Sequence, residues 1–143
     1  MGLGTHEAAL WGKFRDGMKK IQPLGRPILL DRIESPGTRR GIPDVFMTDP
    51  EYGDCWIELK VAVHNKIKIT SQQVRWLSKH HGTRCRILAL IKKPNVHLVR
   101  VWPGAVAYHV GELGILHPGM DVEETYGTIN WARVRDHLFY DRL

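Results

Sequence analysis

The sequence predicts an α/β domain in which a mixed β-sheet is flanked by helices. Three observations support this fold class: an N-terminal segment with helical spacing of apolar residues, a central pair of strand-type runs around a polar turn, and an apolar run after a second helix. In chain order the predicted elements are α-β-β-β-α-β-β-α. Strands and helices that alternate in this way are typical of a mixed sheet with helices packed on it.

The first helix is predicted to begin at residue 6 or 7, with Thr5 as its N-cap, and to run to about Lys20. Glu7 lies in its first turn, where a carboxylate suits the helix dipole. The segment 27–33 is predicted as the first strand, and a basic loop with Gly and Pro follows it. Apolar residues recur along the helix at Ala8, Leu10, Trp11, Phe14 and Met18.

The central stretch, residues 41–60, reads GIPDVFMTDPEYGDCWIELK. A Gly/Pro turn precedes the apolar run 45–47, which is predicted as a strand. The polar segment 48–54 is predicted as a hairpin loop, and the second apolar run, 55–63, as the returning strand.

Two carboxylates and a lysine are predicted to lie on the two strands of this hairpin, beside the apolar core. Asp44 comes directly before the first strand, and Glu58 and Lys60 interrupt the second. Because strand side chains alternate between faces, Glu58 and Lys60 point the same way. The opposite face is apolar, with Cys55, Ile57, Leu59 and Val61. Such a charged group is costly beside a core unless a cation or a substrate offsets its desolvation.

The second half is predicted to begin with a helix, residues 72–81, capped by Thr70 or Ser71. The nearly continuous apolar run 84–91 is predicted as a strand, and the alternating segment 96–102 as an edge strand. The remaining segments are a short helix, an irregular stretch and a terminal helix capped by Asn130, at residues 105–113, 114–127 and 131–140.

Length and composition predict one soluble domain, residues 1–143, with a core at about 5–102 and a C-terminal helical extension at about 103–143. The 21 Lys and Arg residues exceed the 15 Asp and Glu residues, and the net charge of +6 favours a polyanionic partner such as nucleic acid. Cys55 and Cys85 are expected to be buried thiols in a reducing compartment. With neither a signal peptide nor an apolar run of about 20 residues, the chain is expected to be cytoplasmic and away from membranes.

The segments Gly41-Ile42-Pro43-Asp44 and Glu58-Leu59-Lys60 together resemble the PD-(D/E)XK nuclease signature. The local pattern is similar to VRR-NUC-type nucleases and to phage Holliday-junction resolvases, from about residue 7 to residue 91. The two halves of the motif lie on two predicted strands, and a glutamine-containing helix and an apolar strand follow. The resemblance implies a restriction-endonuclease-like core in the order α-β-β-β-α-β.

The resemblance also implies a divalent cation. Hard oxygen ligands suit Mg²⁺ or Mn²⁺, and Asp44 and Glu58 are the candidate side-chain ligands. In the family the backbone carbonyl at the position of Leu59 joins them. Lys60 is expected to orient or deprotonate the attacking water, or to stabilise charge on the phosphate, and the sequence leaves these roles open.

For each of two further catalytic positions, the sequence offers two candidate residues. Glu7 occupies the place of the additional acid that many family members carry on their first helix, and Glu34 in the basic loop is the alternative. Gln73 matches the glutamine that often follows the second half of the motif, and Gln72 has an equal chemical claim. Glu7 and the two glutamines also have an ordinary structural interpretation, as polar residues in the first turn of a helix.

The function expected from these residues is that of a metal-dependent endonuclease that hydrolyses phosphodiester bonds in DNA, with a structure-selective role on branched or Holliday-junction DNA in phage-type replication, recombination or repair. The expected partners are branched or duplex DNA and a second copy of the chain, as a homodimer. Contacts to DNA phosphates are expected from Arg39, Arg40, Lys66 and Lys68. One alternative is a catalytically silent nucleic-acid-binding protein with the same fold. Another is a nicking or single-strand nuclease.

Overall fold

The computed structural model describes residues 5–33 and 41–140, which form a six-stranded sheet with helices on both faces. The four helices are α1 Thr5–Ile21, α2 Ser71–Lys79, α3 Ala107–Leu113 and α4 Trp131–Leu138. The six strands are β1 Leu29–Arg32, β2 Val45–Asp49, β3 Gly53–Val61, β4 Cys85–Lys92, β5 His97–Pro103 and β6 Met120–Glu123. None of the described helices is long and apolar enough to cross a membrane.

The strands lie in the order β1-β2-β3-β4-β5-β6, and β3 and β4 are the parallel pair. All other neighbours in this sheet are antiparallel. Helix α2 connects β3 to β4, as a parallel pair requires a crossover. The predicted core order α-β-β-β-α-β and the mixed sheet are therefore confirmed.

The two faces of the sheet are covered by different helices. Helices α1 and α4 pack on one face, where Phe14 and Leu138 meet Ile57 and Leu59 of β3. Helices α2 and α3 pack on the other face, where Leu77 meets residues of β4. Because α2 occupies this second face, it lies on the side to which Glu58 and Lys60 point.

Two predictions about the C-terminal third were wrong. The strand β5 is not an edge strand, because β6 pairs with it on the side away from β4. The segment 114–127 is not wholly irregular, since it contains a 3-10 turn, Gly114–Leu116, and β6. The four-residue strand β6 carries two exposed acids and only Val122 buried, so it has too little apolar alternation to stand out in the sequence.

The central hairpin is tighter than predicted, because β2 and β3 extend to Asp49 and Gly53 and leave only residues 50–52 between them. The Asp49 Oδ1 atom accepts hydrogen bonds from the backbone N–H groups of Glu51 and Tyr52. Arg135 of α4 also donates to both oxygens of Asp49, at 2.6 and 2.7 Å, and to Glu51 at 3.0 Å. The hairpin tip is thereby attached to the C-terminal helix.

This ion pair is buried, with the Asp49 side chain fully inaccessible and that of Arg135 12% exposed. Burial alone raises the pKa of Asp49, but the hydrogen bonds from Arg135 and the turn backbone outweigh it and hold the pKa below its usual value. An acid with a depressed pKa stabilises the folded state above its unfolded pKa, and this contribution disappears as the pH falls through the folded pKa.

We predict that Arg135→Met lowers the free energy of unfolding by about 3 kcal/mol at pH 7, because it leaves a buried carboxylate without its cation. The difference from the parent should shrink below about pH 4 as Asp49 becomes protonated. Urea unfolding at several pH values measures both effects. The matched control is Arg133→Met, an exposed arginine on the same helix, which should cost less than 0.5 kcal/mol; equal losses would show that the ion pair is not the cause.

Candidate functional site

Asp44 lies at the point where β2 begins and its pairing with β3 stops. Its side chain is buried, and Oδ2 accepts a hydrogen bond of 2.9 Å from the backbone N–H of Leu59. The register pairs Val45 with Ile57, so no residue of β2 lies opposite Leu59. The carboxylate of Asp44 therefore replaces the missing strand partner.

The backbone carbonyl of Leu59 faces the same opening. The N–H groups of Trp56 and Ala62 donate to carbonyls at either end of the β4 ladder. Parallel strands alternate the direction of their backbone groups, so those of Leu59 point the other way, past the start of β2. Its carbonyl oxygen and the Asp44 carboxylate are thus on one side of β3.

Glu58 and Lys60 lie on the α2 face of β3, with side chains only 3% and 10% exposed. The Nζ atom of Lys60 is 3.4 Å from Oε2 of Glu58 and donates a hydrogen bond of 3.0 Å to Oε1 of Gln73. The amide Nε2 of Gln73 donates to the same Oε2 of Glu58 at 2.8 Å. These three side chains form a closed polar triangle between β3 and α2.

Gln73 is fixed by the start of α2. Thr70 is the N-cap, and its Oγ1 accepts from the backbone N–H of Gln73 while its own N–H donates to Gln73 Oε1 at 2.9 Å. Of the two candidate glutamines, the structure brings Gln73 to the carboxylate, whereas the side chain of Gln72 is exposed. The capping box T-x-x-Q is the sequence signal that distinguishes Gln73 from Gln72. With Thr70 as N-cap, Gln73 occupies the third helical position, whose side chain bonds back to the cap.

Burial dominates the electrostatics of Glu58. Desolvation and the nearby charge of Asp44 raise the pKa of Glu58 to about 8, although Lys60 acts in the opposite direction. Its second oxygen, Oε1, is buried and has no hydrogen-bond partner among the described residues. A buried carboxylate oxygen without a partner is costly, and a cation is the simplest group that would compensate it.

The donor set fits a hard divalent cation. Asp44, Glu58 and the Leu59 carbonyl offer only oxygen, which is the preference of Mg²⁺ and Mn²⁺. Within residues 5–33 and 41–140, no three His, Cys, Asp or Glu side chains gather as a metal cluster. An ion held by two carboxylates, one carbonyl and several waters agrees with the habit of Mg²⁺ to keep part of its hydration.

The proposed additional acid lies in a neighbouring cleft. Glu7 and His6 of α1 line an open cavity of about 600 Å³ together with Lys66, Lys68 and the end of β3. Lys66 and Lys68 are exposed there, on a segment that begins with a tight turn at residues 64–65, both with positive φ. No hydrogen bond or ion pair among the described residues joins Glu7 to the triangle.

Three other predicted residues, Glu34, Arg39 and Arg40, lie outside the described residues. Gly41, the first described residue after them, has a φ of +80° and packs against the first turn of α2. A Cβ atom at this position would overlap the carbonyl group of Gln72 and lie 2.7 Å from the backbone N of Gln73. Gly41 was predicted only as a turn residue; its close approach to α2 was missed because it depends on tertiary packing.

Comparison with known proteins adds a fold-level likeness. The sequence matches no protein-family model and no curated protein. One solved structure with a similar fold is that of Hjc from Archaeoglobus fulgidus, a Holliday junction resolvase from an archaeal hyperthermophile. It is 14% identical, with a TM-score of 0.46 over 71% of this chain and 77% of the other. At this level the likeness does not identify a function.

We predict that Gly41→Ala destabilises the protein by about 2 kcal/mol or more, because it combines a positive φ with a backbone clash at α2. Gly25→Ala is the control, since Gly25 also has a positive φ, +73°, but has no atom within 4 Å of an added Cβ. Thermal unfolding measures both. If the two variants lose the same stability, the contact with α2 contributes nothing beyond backbone strain.

A second prediction concerns pH in the absence of metal. Because the folded pKa of Glu58, about 8, is above the unfolded value of 4.5, its contribution to stability is full below about pH 4.5 and is lost as the pH rises to about 8. Urea unfolding in EDTA should therefore show stability that falls by several kcal/mol across this range. In Glu58→Gln the fall should be largely absent, and an unchanged profile would contradict the assigned pKa.

Proposed function

We propose that this chain is a divalent-metal-dependent nuclease that hydrolyses phosphodiester bonds in DNA. The observation that carries the proposal is the pair of buried carboxylates, Asp44 and Glu58, which interact where β2 begins beside β3. One oxygen of Glu58 has no hydrogen-bond partner among the described residues. Lys60 adds a cation at the same place. Two acids, a lysine and an oxygen-only donor set meet the demands of phosphodiester hydrolysis.

In this proposal Asp44, Glu58 and the Leu59 carbonyl would hold Mg²⁺ or Mn²⁺. When bound, the ion supplies a water that is nucleophilic near neutral pH and neutralises charge on the phosphate. Lys60 has three N–H donors, and its described contacts to Glu58 and Gln73 use two of them. The third remains to donate to a phosphate oxygen as negative charge develops there.

Gln73 is a positioning residue in this scheme. Its amide holds Oε2 of Glu58 and the Nζ atom of Lys60 at the same time, so the carboxylate and the ammonium group are fixed relative to each other. Glu7, in the adjoining cleft, is proposed as the additional acid that acts through water. Lys66 and Lys68 on that cleft are proposed to contact DNA phosphates.

The finer substrate assignment is branched DNA, including four-way junctions, cut by a homodimer that places one site on each of two strands. It is supported by the resemblance of the GIPD and ELK segments to resolvase motifs and by the basic charge of +6. The narrower VRR-NUC and phage resemblances remain predictions.

One observation favours the alternative of a silent binding protein. Lys60, Glu58 and Gln73 already contact one another, as they would in a purely structural polar network. In that case the parent protein should show no metal-dependent cleavage, and replacing one of these three residues should impair folding.

The test is cleavage of labelled linear duplex, single strand, flap and four-way junction DNA, each with Mg²⁺, Mn²⁺ or EDTA. Paired symmetric nicks in the junction that require a metal are the expected result. Cutting of every duplex would keep the nuclease and reject junction selectivity, and binding without cutting would support the silent alternative.

Amino-acid substitutions test which residues form the proposed catalytic site. Asp44→Asn and Glu58→Gln should each reduce the cleavage rate about 1000-fold or more while DNA binding in EDTA persists, because each removes a charged ligand. Asp54→Asn is the matched control, an exposed carboxylate on the same strand as Glu58, and should retain activity within about twofold. If the control loses as much activity as Glu58→Gln, the proposed site is wrong.

A further inference from the structure

An aromatic row lies on the same face of the sheet as Glu58. Its rings belong to two strands and one helix, and consecutive centroids are 4.7, 5.5 and 3.7 Å apart. All four members are half-buried, so each keeps part of its surface accessible to solvent. In order, the row is Phe46, Trp56, Trp76 and His80.

The geometry of β3 and α2 connects this row to the triangle. Trp56 and Glu58 are two apart on β3, which separates them by about 7 Å on one face. Helix α2 runs back along the strand, with Gln73 beside Glu58 and Trp76 beside Trp56. From Gln73 to His80 the chain advances about 10 Å along the helix axis.

The outer end of the row is concave and basic. Gln72, Arg75, Trp76, Lys79 and His80 line a surface cleft of about 310 Å³. Arg75 and Lys79 are exposed, and α2 carries no acidic residue. The imidazole of His80 is stacked on the indole of Trp76 at an interplanar angle of 15° and is held there by a 2.8 Å hydrogen bond to the Trp76 carbonyl.

We propose that this row and the two flanking cations bind unpaired nucleotides of a DNA strand next to the site of cleavage. A flat, fixed ring pair presents a stacking face, and the face of a nucleobase is available only when that base is not stacked within a duplex. Arg75 and Lys79 supply the cations that neutralise the strand's phosphates. The inference rests on the proposed nuclease function for its biological meaning, but the binding itself needs no metal.

The combination favours a single strand over a duplex. Phosphate contacts alone would serve either form, since they carry no information about pairing. Aromatic stacking adds affinity only for exposed bases, so the row should distinguish a tailed or gapped DNA from a blunt one. The substrate expected for this site is therefore a duplex or branched DNA that has unpaired nucleotides near the scissile bond.

The test measures binding in EDTA, where a metal-dependent nuclease does not cut, to a labelled blunt duplex and to the same duplex with a single-stranded tail. The His80→Ala variant should bind the tailed DNA about tenfold more weakly, bind the blunt duplex as the parent does, and keep the parent's salt dependence. The His80→Phe variant keeps a stacking ring and should restore tail affinity. Thermal unfolding of each variant checks that the fold is intact.

The Arg75→Ala/Lys79→Ala double variant should also weaken tail binding about tenfold, but with a salt slope smaller by about 1 to 1.5. Lys13→Ala/Lys20→Ala is the matched control, because it removes two exposed lysines from α1 on the opposite face of the sheet. Tail affinity unchanged in the His80 and Arg75/Lys79 variants, or equal losses of the His80→Ala variant on blunt and tailed DNA, would overturn the proposal. Absence of cleavage by the parent would contradict the nuclease and leave this binding result standing.

Discussion

The burial of the Glu58 carboxylate in the middle of the sheet is the constraint on which the rest of the site depends. β3 is covered on both faces, so an acid there must find donors within the protein or bind a cation. Gln73 comes from α2, Lys60 from two residues further along the strand, and the opening beside them exists because β2 begins at Val45. Asp44 then accepts the backbone hydrogen bond of Leu59 that β2 does not reach. Its carboxylate interacts there with that of Glu58. Each of these features is an ordinary consequence of strand geometry, but together they bring two carboxylates to one point.

The start of α2 couples folding to site geometry through a single amide. Oε1 of Gln73 accepts hydrogen bonds from the Thr70 N–H of the capping box and from Lys60, and Nε2 donates to Glu58. Gly41 packs against the same turn from the loop that leads to Asp44. A shift of this turn would therefore move Gln73, which donates to the carboxylate of Glu58. It would also displace Gly41, in the segment that leads to Asp44. Such coupling positions a site on rigid elements rather than on a loop.

The sequence alone predicts the elements that have strong periodicity or clear caps, and it predicts which residues of β3 share a face. It does not reveal β6, because four residues with a single buried valine carry little apolar pattern. It also does not predict that Arg135 reaches Asp49, which is 86 residues away in the chain. The choice between Gln72 and Gln73 was accessible locally through the capping box, whereas the aromatic row depends on how α2 runs along β3. Contacts between distant segments are set by packing, which no short motif encodes.

The two buried carboxylates that lie near opposite ends of the central hairpin provide an internal comparison. Asp49 receives Arg135 on both oxygens and two backbone N–H groups, and its pKa lies below the ordinary value. Glu58 is equally inaccessible, yet its Oε1 has no partner among the described residues and its pKa is raised. The fold can thus satisfy a buried acid completely when the acid serves structure alone. A deficit of hydrogen bonds at Glu58, beside a second carboxylate and a lysine, is the pattern expected where a site is completed by a ligand rather than by the chain.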